Sequence, residues 1–471
     1  MSQFFMINSE HIKKEKQKGG FSMKKKFLTG VLALCMAASL FTGCKSKDTT
    51  ATDTNASQPK QEEASDTSVE AQAEPITLTV FSNLPDRKNG QGLVEQKIID
   101  EYMAENPNVT IKVEALDEEA YKTKFKAYAM NGMPDIVSIW GQPSFLDEVL
   151  EAGILEPLNE ADYQDYKFVP GSLEGFKRDG TLYGLPRNTD VMAFYYNQKM
   201  FDDNGWEVPK TYDELLALGQ KINDAGIVPV AMDGGDGWPL AIYLTDLLVR
   251  VNGNSKDIVA NAIANADFTD PAFVEATNLL AKTAQSGLFQ VGYDSQDYGT
   301  AMNLFTNGQA AMFYMGSWEA SMALNQDISE DVRTNIRAFT MPVVADGKGS
   351  QTDIAAWNGG GYAVYAHSDQ NEEAIKFLNY MYQPDKLSKY GWENGVGMSA
   401  QDQSAYMTGN ETELQKQFTG ILQTATSVSG TPINDCGPSV FKTAMESEIQ
   451  SVCNGTKSVD DFLSTIGEAC K

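Results

Sequence analysis

Histidine is almost missing from this chain of 471 residues: only His11 and His367 occur. Most zinc sites and most histidine-dependent triads need more imidazoles than that, so those chemistries fall away. The five cysteines, Cys35, Cys44, Cys436, Cys453 and Cys470, include no CxxC pair, which leaves no activating redox motif. Positive charge is also scarce, with 37 Lys plus Arg against 64 Asp plus Glu and a net charge of -27. A nucleic-acid binder would show a basic footprint, and none is present. The apolar run Phe27–Phe41 has 15 residues, short of the roughly 20 that a membrane-spanning helix needs. No short-period repeat is visible, which disfavours a modular adhesin or other structural surface protein.

What is present begins with a leader. Met23–Cys44 places Lys24, Lys25 and Lys26 before the apolar run and small residues before a cysteine, the layout of an export signal. Residues 1–22 have no export logic, and Lys18-Gly19-Gly20 reads as a translated ribosome-binding site, so Met23 is expected to be the initiator. The ending Leu40-Phe41-Thr42-Gly43-Cys44 resembles a bacterial lipobox, with Phe41 where an aliphatic residue is usual. The signal is therefore taken as residues 23–43 and Cys44 as the lipidated residue. Residues 45–74 hold no aromatic and one large aliphatic, Val69, so burial cannot offset their ordering entropy, and 44–74 reads as a lipidated tether. Removing residues 1–43 deletes seven lysines and two glutamates, which makes the net charge more negative, at -32.

From Pro75 onward the pattern is α/β. Ile76–Phe81 alternates as a strand, 93–106 has helical spacing and stops at Asn106-Pro107, Val109–Ala115 alternates again, 117–131 is helical and 134–140 is a strand. This alternation predicts an open sheet with crossover helices. A second α/β set follows, including a strand at 192–196 and a helix opened by Thr211 and Glu214 as a capping box. About 397 residues suit two lobes better than one.

Five stretches in order resemble the sugar-binding extracellular solute-binding proteins of ABC importers, the group that includes maltodextrin-binding proteins. They are Gly132-Met133-Pro134-Asp135-Ile136-Val137; Tyr183-Gly184-Leu185-Pro186 leading to Thr189-Asp190 and Tyr195-Tyr196-Asn197; Pro209–Leu215; Phe305–Met312 leading to Gly316-Ser317-Trp318; and Gly359–Val364 followed by Glu373–Leu378. The resemblance implies a type II, two-lobed periplasmic-binding-protein-like fold with an interlobe cleft and hinge. Lobe 1 would comprise 75–190 and 342–395, and lobe 2 would comprise 191–341 and 396–471. It implies a monomeric, non-enzymatic receptor that closes on a carbohydrate and docks on a permease. The receptor would be lipid-anchored outside a Gram-positive-type cell, with no cofactor, no metal and no nucleic acid.

A sugar offers apolar ring faces and a rim of hydroxyls, so its site wants aromatic plates and hydrogen-bonding groups. Trp318 matches the family's main stacking position, and Trp140 matches a cleft-lining tryptophan. Trp357 precedes Gly359-Gly360-Gly361, where glycines would let a ligand approach backbone. Trp238 opens a helix and reads equally as a plate or as packing. Asp190, at the first lobe crossing, matches a hydroxyl-binding acid, with Arg187 beside it. Asp233 fits another carboxylate position, and Asn83 ends the first strand, where α/β ligands sit. Trp206 and Trp392 read as structural, and His367 as a surface turn.

Counting leaves a glycosidase open, since it needs two carboxylates about 5 to 9.5 Å apart and 62 acids follow residue 43. No local catalytic motif accompanies them. Cys436, Cys453 and Cys470 leave at least one free thiol within a single molecule, and a Cys453–Cys470 or a Cys436–Cys453 bridge is compatible with export.

Overall fold

A computed structural model describes residues 74–471, which lie within one compact unit, Glu70–Lys471. The expected extension, signal, lipidated Cys44 and nearly all of the tether fall outside the described residues.

The first lobe is built on strands β1 (Ile76–Ser82), β2 (Val109–Ala115) and β3 (Ile136–Trp140), parallel in the order β2-β1-β3. The antiparallel strand Gly360–Val364 and the short Leu185–Pro186 complete its sheet. Alternation along β1 sends neighbouring side chains to opposite faces. Phe81 stacks on Tyr121, with centroids 4.1 Å apart, so helix α2 (Glu118–Asn131) covers one face. Ser82 donates to Glu95 at 2.9 Å, so helix α1 (Gly90–Glu105) covers the other. Phe125 of α2 packs on Phe145 of helix α3 (Pro143–Glu151), which places α3 on the α2 face. The sheet is thus doubly wound, as the strand and helix alternation predicts.

The second lobe is organised on one nine-residue strand, Thr189–Asn197, which carries the chain out of the first lobe. Ile336–Phe339 pairs with it on one side and Ala310–Gly316 on the other, followed by Val228–Ala231. Phe194 and Tyr196 point into one apolar core and Tyr195 into another, so both faces of this sheet are covered. The Thr211–Glu214 capping box opens the helix Tyr212–Asp224 as expected.

The chain returns to the first sheet at Asn358-Gly359, later than the Met341 expected from sequence. The guanidinium of Arg250 holds the carbonyls of Met341, Ser350 and Asp353, which keeps this segment in the second lobe. Ala356–Asn358 then pairs with the start of the Thr189–Asn197 strand, setting Trp357 opposite Asp190. The last crossing also falls later than residue 395. Gln401 ties its segment to first-lobe carbonyls of Tyr166 and Tyr382 at 2.6 and 2.7 Å. The helix Glu413–Thr424 buries Leu414 and Phe418 in the second lobe.

Candidate functional site

β1 and β3 are neighbours, yet the helices that follow them leave on opposite faces of the sheet. Such a switch point opens a crevice beyond the carboxyl ends of the strands. Asn83 and Trp140 flank it. The Asn83 backbone N–H donates to Ser138 Oγ at 3.3 Å, while its buried Oδ1 has no hydrogen-bond partner. The Trp140 ring meets Tyr121 and Phe145 edge-on, at 5.7 and 5.2 Å between centroids. Lys122 Nζ stands 5.6 Å from the Trp140 centroid, within cation–π range. Gln142, two residues on, is buried with an unpartnered Oε1.

The crossing segments form the floor. Asp190 is 5% exposed, and Asn188 donates its amide N–H to the Asp190 carboxylate. Burial pushes the Asp190 carboxyl up to about 7, against the opposing pull of Arg187 and Asn188. Arg187 is 7% exposed, lies 5.3 Å from the Tyr362 ring, and leaves Nε and Nη1 without acceptors. A β-carbon on Gly359 would stand 2.0 Å from Asp190 Oδ2, and one on Gly360 3.0 Å from Arg187 Nη2 and 3.6 Å from Trp140 Nε1. The glycines were expected to admit ligand to the backbone; here they give room to protein side chains, those of Asp190 and Arg187.

Aromatic rings make the second-lobe wall. Trp357 lies 6.2 Å from Trp318, Trp318 lies 6.1 Å from Trp238, and Trp238 lies 6.2 Å from Tyr298, all between centroids. Trp318 Nε1 donates to Tyr298 Oη at 3.0 Å, and Tyr298 in turn donates to Glu319. This relay fixes the indole edge and leaves the ring face to packing. Burial raises the Glu319 carboxyl, and burial together with Glu319 raises the Tyr298 phenol. A β-carbon on Gly316 would lie 1.9 Å from the Trp318 ring, so the ring can fold over the strand end only above a glycine.

Asp233 is fully buried beneath the loop that opens the Trp238 helix. Its Oδ1 accepts from the Asp236 N–H at 3.2 Å and its Oδ2 is unpartnered; burial, then the Asp236 charge, raises its carboxyl. The structure therefore brings Trp238, Trp318 and Trp357 into one arc with Asp190 opposite Trp357, sets Trp140 and Asn83 on the first lobe, and seats Asp233 under the arc's end.

Sequence reasoning missed Tyr298 and Glu319. Glu319 was findable as the neighbour of Trp318, whereas Tyr298 reaches the site only through the fold. Trp206 packs edge-on against Phe201 at 5.8 Å and Trp392 is 5% exposed, both structural as expected, and His367 is exposed. Cys436, Cys453 and Cys470 are all free, so neither weighed bridge forms, and burial pushes their thiols up to about 12, 12 and 11.

The sequence profile of the bacterial extracellular solute-binding proteins matches residues 88–386. A multiple sugar-binding protein of Streptococcus mutans is 26% identical over 327 residues, covering 67% of this chain and 73% of that protein. A maltotriose-binding protein of Pyrococcus abyssi is 27% identical over 257 residues, covering 54% of this chain and 52% of that protein. A structure solved in work on xylan utilization by the thermophilic bacterium Caldanaerobius polysaccharolyticus aligns with a TM-score of 0.76 at 25% identity, over 83% of this chain and 99% of that one.

Proposed function

The chain belongs to the bacterial extracellular solute-binding proteins, and on that premise we propose that it captures a sugar between its lobes and delivers it to the permease of an ABC importer. The observation that carries this reading is the pairing of two surfaces. An arc of three tryptophans lines the second lobe, and buried, unpartnered polar atoms of Asn83, Gln142, Arg187 and Asn188 line the first lobe and the floor. Apolar ring faces suit the arc, because indole offers a large flat surface and a negative π-face toward C–H groups. Hydroxyls suit the orphaned atoms, because a buried donor or acceptor without a partner costs about 1–3 kcal/mol until something satisfies it. Asp190, whose carboxyl burial raises to about 7, can donate when protonated and accept when ionised.

Names of similar proteins support the same class, since those from Streptococcus mutans and Pyrococcus abyssi are sugar binders by description. Closure would be favoured by a solute that touches both lobes at once. We place the site residues at Asn83, Trp140, Asp190, Asp233, Trp238, Trp318 and Trp357, and the lipid anchor at Cys44. Thermal-shift measurement on the purified protein against a sugar library tests the ligand class: stabilisation by a sugar is expected, and its slow turnover would point to a hydrolase instead. Fatty-acid labelling that persists in Cys44→Ser would remove the anchor.

A further inference from the structure

Outside the tryptophan arc, a cluster of charged side chains joins the two lobes. Ser144, 4% exposed at the start of α3, donates its hydroxyl to Asp435 Oδ1 at 2.5 Å, from the first lobe to the second. Asp435 also holds Lys442 at 2.7 Å, and Lys442 holds Glu446 at 2.7 Å. Asn434 donates to Glu446 at 2.8 Å. Lys122 of α2, paired with Glu118 and Glu119 at 2.7 and 3.0 Å, faces this group from the first lobe and acts on Asp435 and Glu446 through its charge. Burial works against the Asp435 charge, but Lys442, Ser144 and Lys122 outweigh it and hold the carboxyl below its usual range.

A second bridge lies on the other face of the first-lobe sheet. There Asn89, just ahead of α1, donates to Asp327 at 3.5 Å, and Gly90 lies so close to the second lobe that a β-carbon on it would stand 2.9 Å from Ser321 Oγ. Because α1 and α2–α3 cover opposite faces, the two bridges flank the crevice between Asn83 and Trp140.

We propose that Asp435 is the bolt of an interlobe lock: with Ser144 and Lys122 it shuts the α2–α3 side of the cleft, so that the solute is a short saccharide enclosed between two bridged rims. The arc then faces at most one ring per tryptophan, which means a mono-, di- or trisaccharide and not a chain running out of the cleft. The length limit rests on the sugar reading, whereas the lock does not.

Two measurements separate them. Small-angle X-ray scattering of the full chain without sugar should give a larger radius of gyration for Asp435→Ala and for Ser144→Ala than for the unaltered protein. Ser144→Ala removes only the cross-lobe bond and leaves the Asp435–Lys442 pair intact, so misfolding does not confuse the result. Unchanged scattering in both variants overturns the lock. Calorimetry with malto-, cello- and xylo-oligosaccharides from disaccharide to hexasaccharide then tests length. Affinity should fall by about tenfold or more from the trisaccharide to the hexasaccharide, and by less in Asp435→Ala. A hexasaccharide bound as tightly as the trisaccharide overturns the length limit. If both variants open the cleft and no sugar of any length binds, the lock stands and the sugar reading, with its length limit, falls.

Discussion

Two buried aspartates, each under the charge of a buried arginine, differ in how that arginine is used. In the second-lobe core, Asp246 and Arg250 are 1% and 0% exposed and sit 3.8 Å apart. Arg250 donates Nε and Nη1 to the carbonyls of Met341, Ser350 and Asp353 while its Nη2 has no hydrogen-bond partner, and Asp246 accepts from Tyr314 at 3.0 Å. At the crossing, Arg187 and Asp190 are buried almost as deeply, but two Arg187 nitrogens have no acceptor and Asp190 has one side-chain donor. Burial raises both carboxyls, Asp246 to about 6 and Asp190 to about 7. Arg250 is committed to three carbonyls with one nitrogen left over, whereas Arg187 leaves two nitrogens without acceptors beside the cleft. Satisfaction, more than burial, separates the structural charge from the candidate binding charge.

The comparison can be broken most sharply by removing each arginine. Arg250→Met should cost about 3–5 kcal/mol of stability, because it strands the Asp246 charge and frees three carbonyls. Arg187→Met should cost clearly less, since fewer bonds are lost. Equal losses in urea unfolding would erase the distinction. Next in size, Trp318→Ala should weaken sugar binding by about 2–4 kcal/mol in calorimetry, as an anchor at the centre of the arc. Unchanged affinity would take Trp318 out of the site.

A smaller effect concerns pH. The folded Asp190 carboxyl titrates above its ordinary 3.8, so the folded state binds its proton more tightly than the unfolded one. That contribution is complete below about pH 4 and is lost as pH rises through about 7. Asp190→Asn lacks it, so the melting temperature of the variant should gain on the unaltered protein between about pH 4 and pH 8. A constant difference across that range would argue against a raised carboxyl. Asp246 titrates in both proteins and cancels. Smallest of all, Tyr298→Phe breaks the Trp318–Tyr298–Glu319 relay and should cost about 0.5–1.5 kcal/mol of affinity. A loss larger than that of Trp318→Ala would put the hydroxyl, and not the indole, at the centre.

Much of the first lobe was legible because its signals are local. Alternation in Ile76–Phe81 and the stop at Asn106-Pro107 need no tertiary knowledge, and in the second lobe neither does the Thr211–Glu214 box. Tryptophans at strand ends were legible for the same reason, since strand ends in an α/β sheet already point at the crevice. The return and last crossings were not, because what holds residues 342–355 in the second lobe is the distant Arg250, and what holds the later segment on the first lobe is Gln401. Tyr298 escaped because it meets Trp318 across the fold. Ser144 and Asp435 are 291 positions apart and carry no motif. Long-range hydrogen bonds of this kind leave no period in a sequence.

Gly316 sets an order in which the site can change. While Trp318 lies over it, any side chain at position 316 collides with the ring, so the glycine is fixed by its neighbour and not by the backbone, whose φ there is -81°. A lineage or an engineer that first replaces Trp318 with a small residue releases position 316 to vary. The reverse order meets a barrier. Reshaping this wall for another solute is therefore a path with one open direction, and the way back to a tryptophan at position 318 closes once position 316 has gained a side chain.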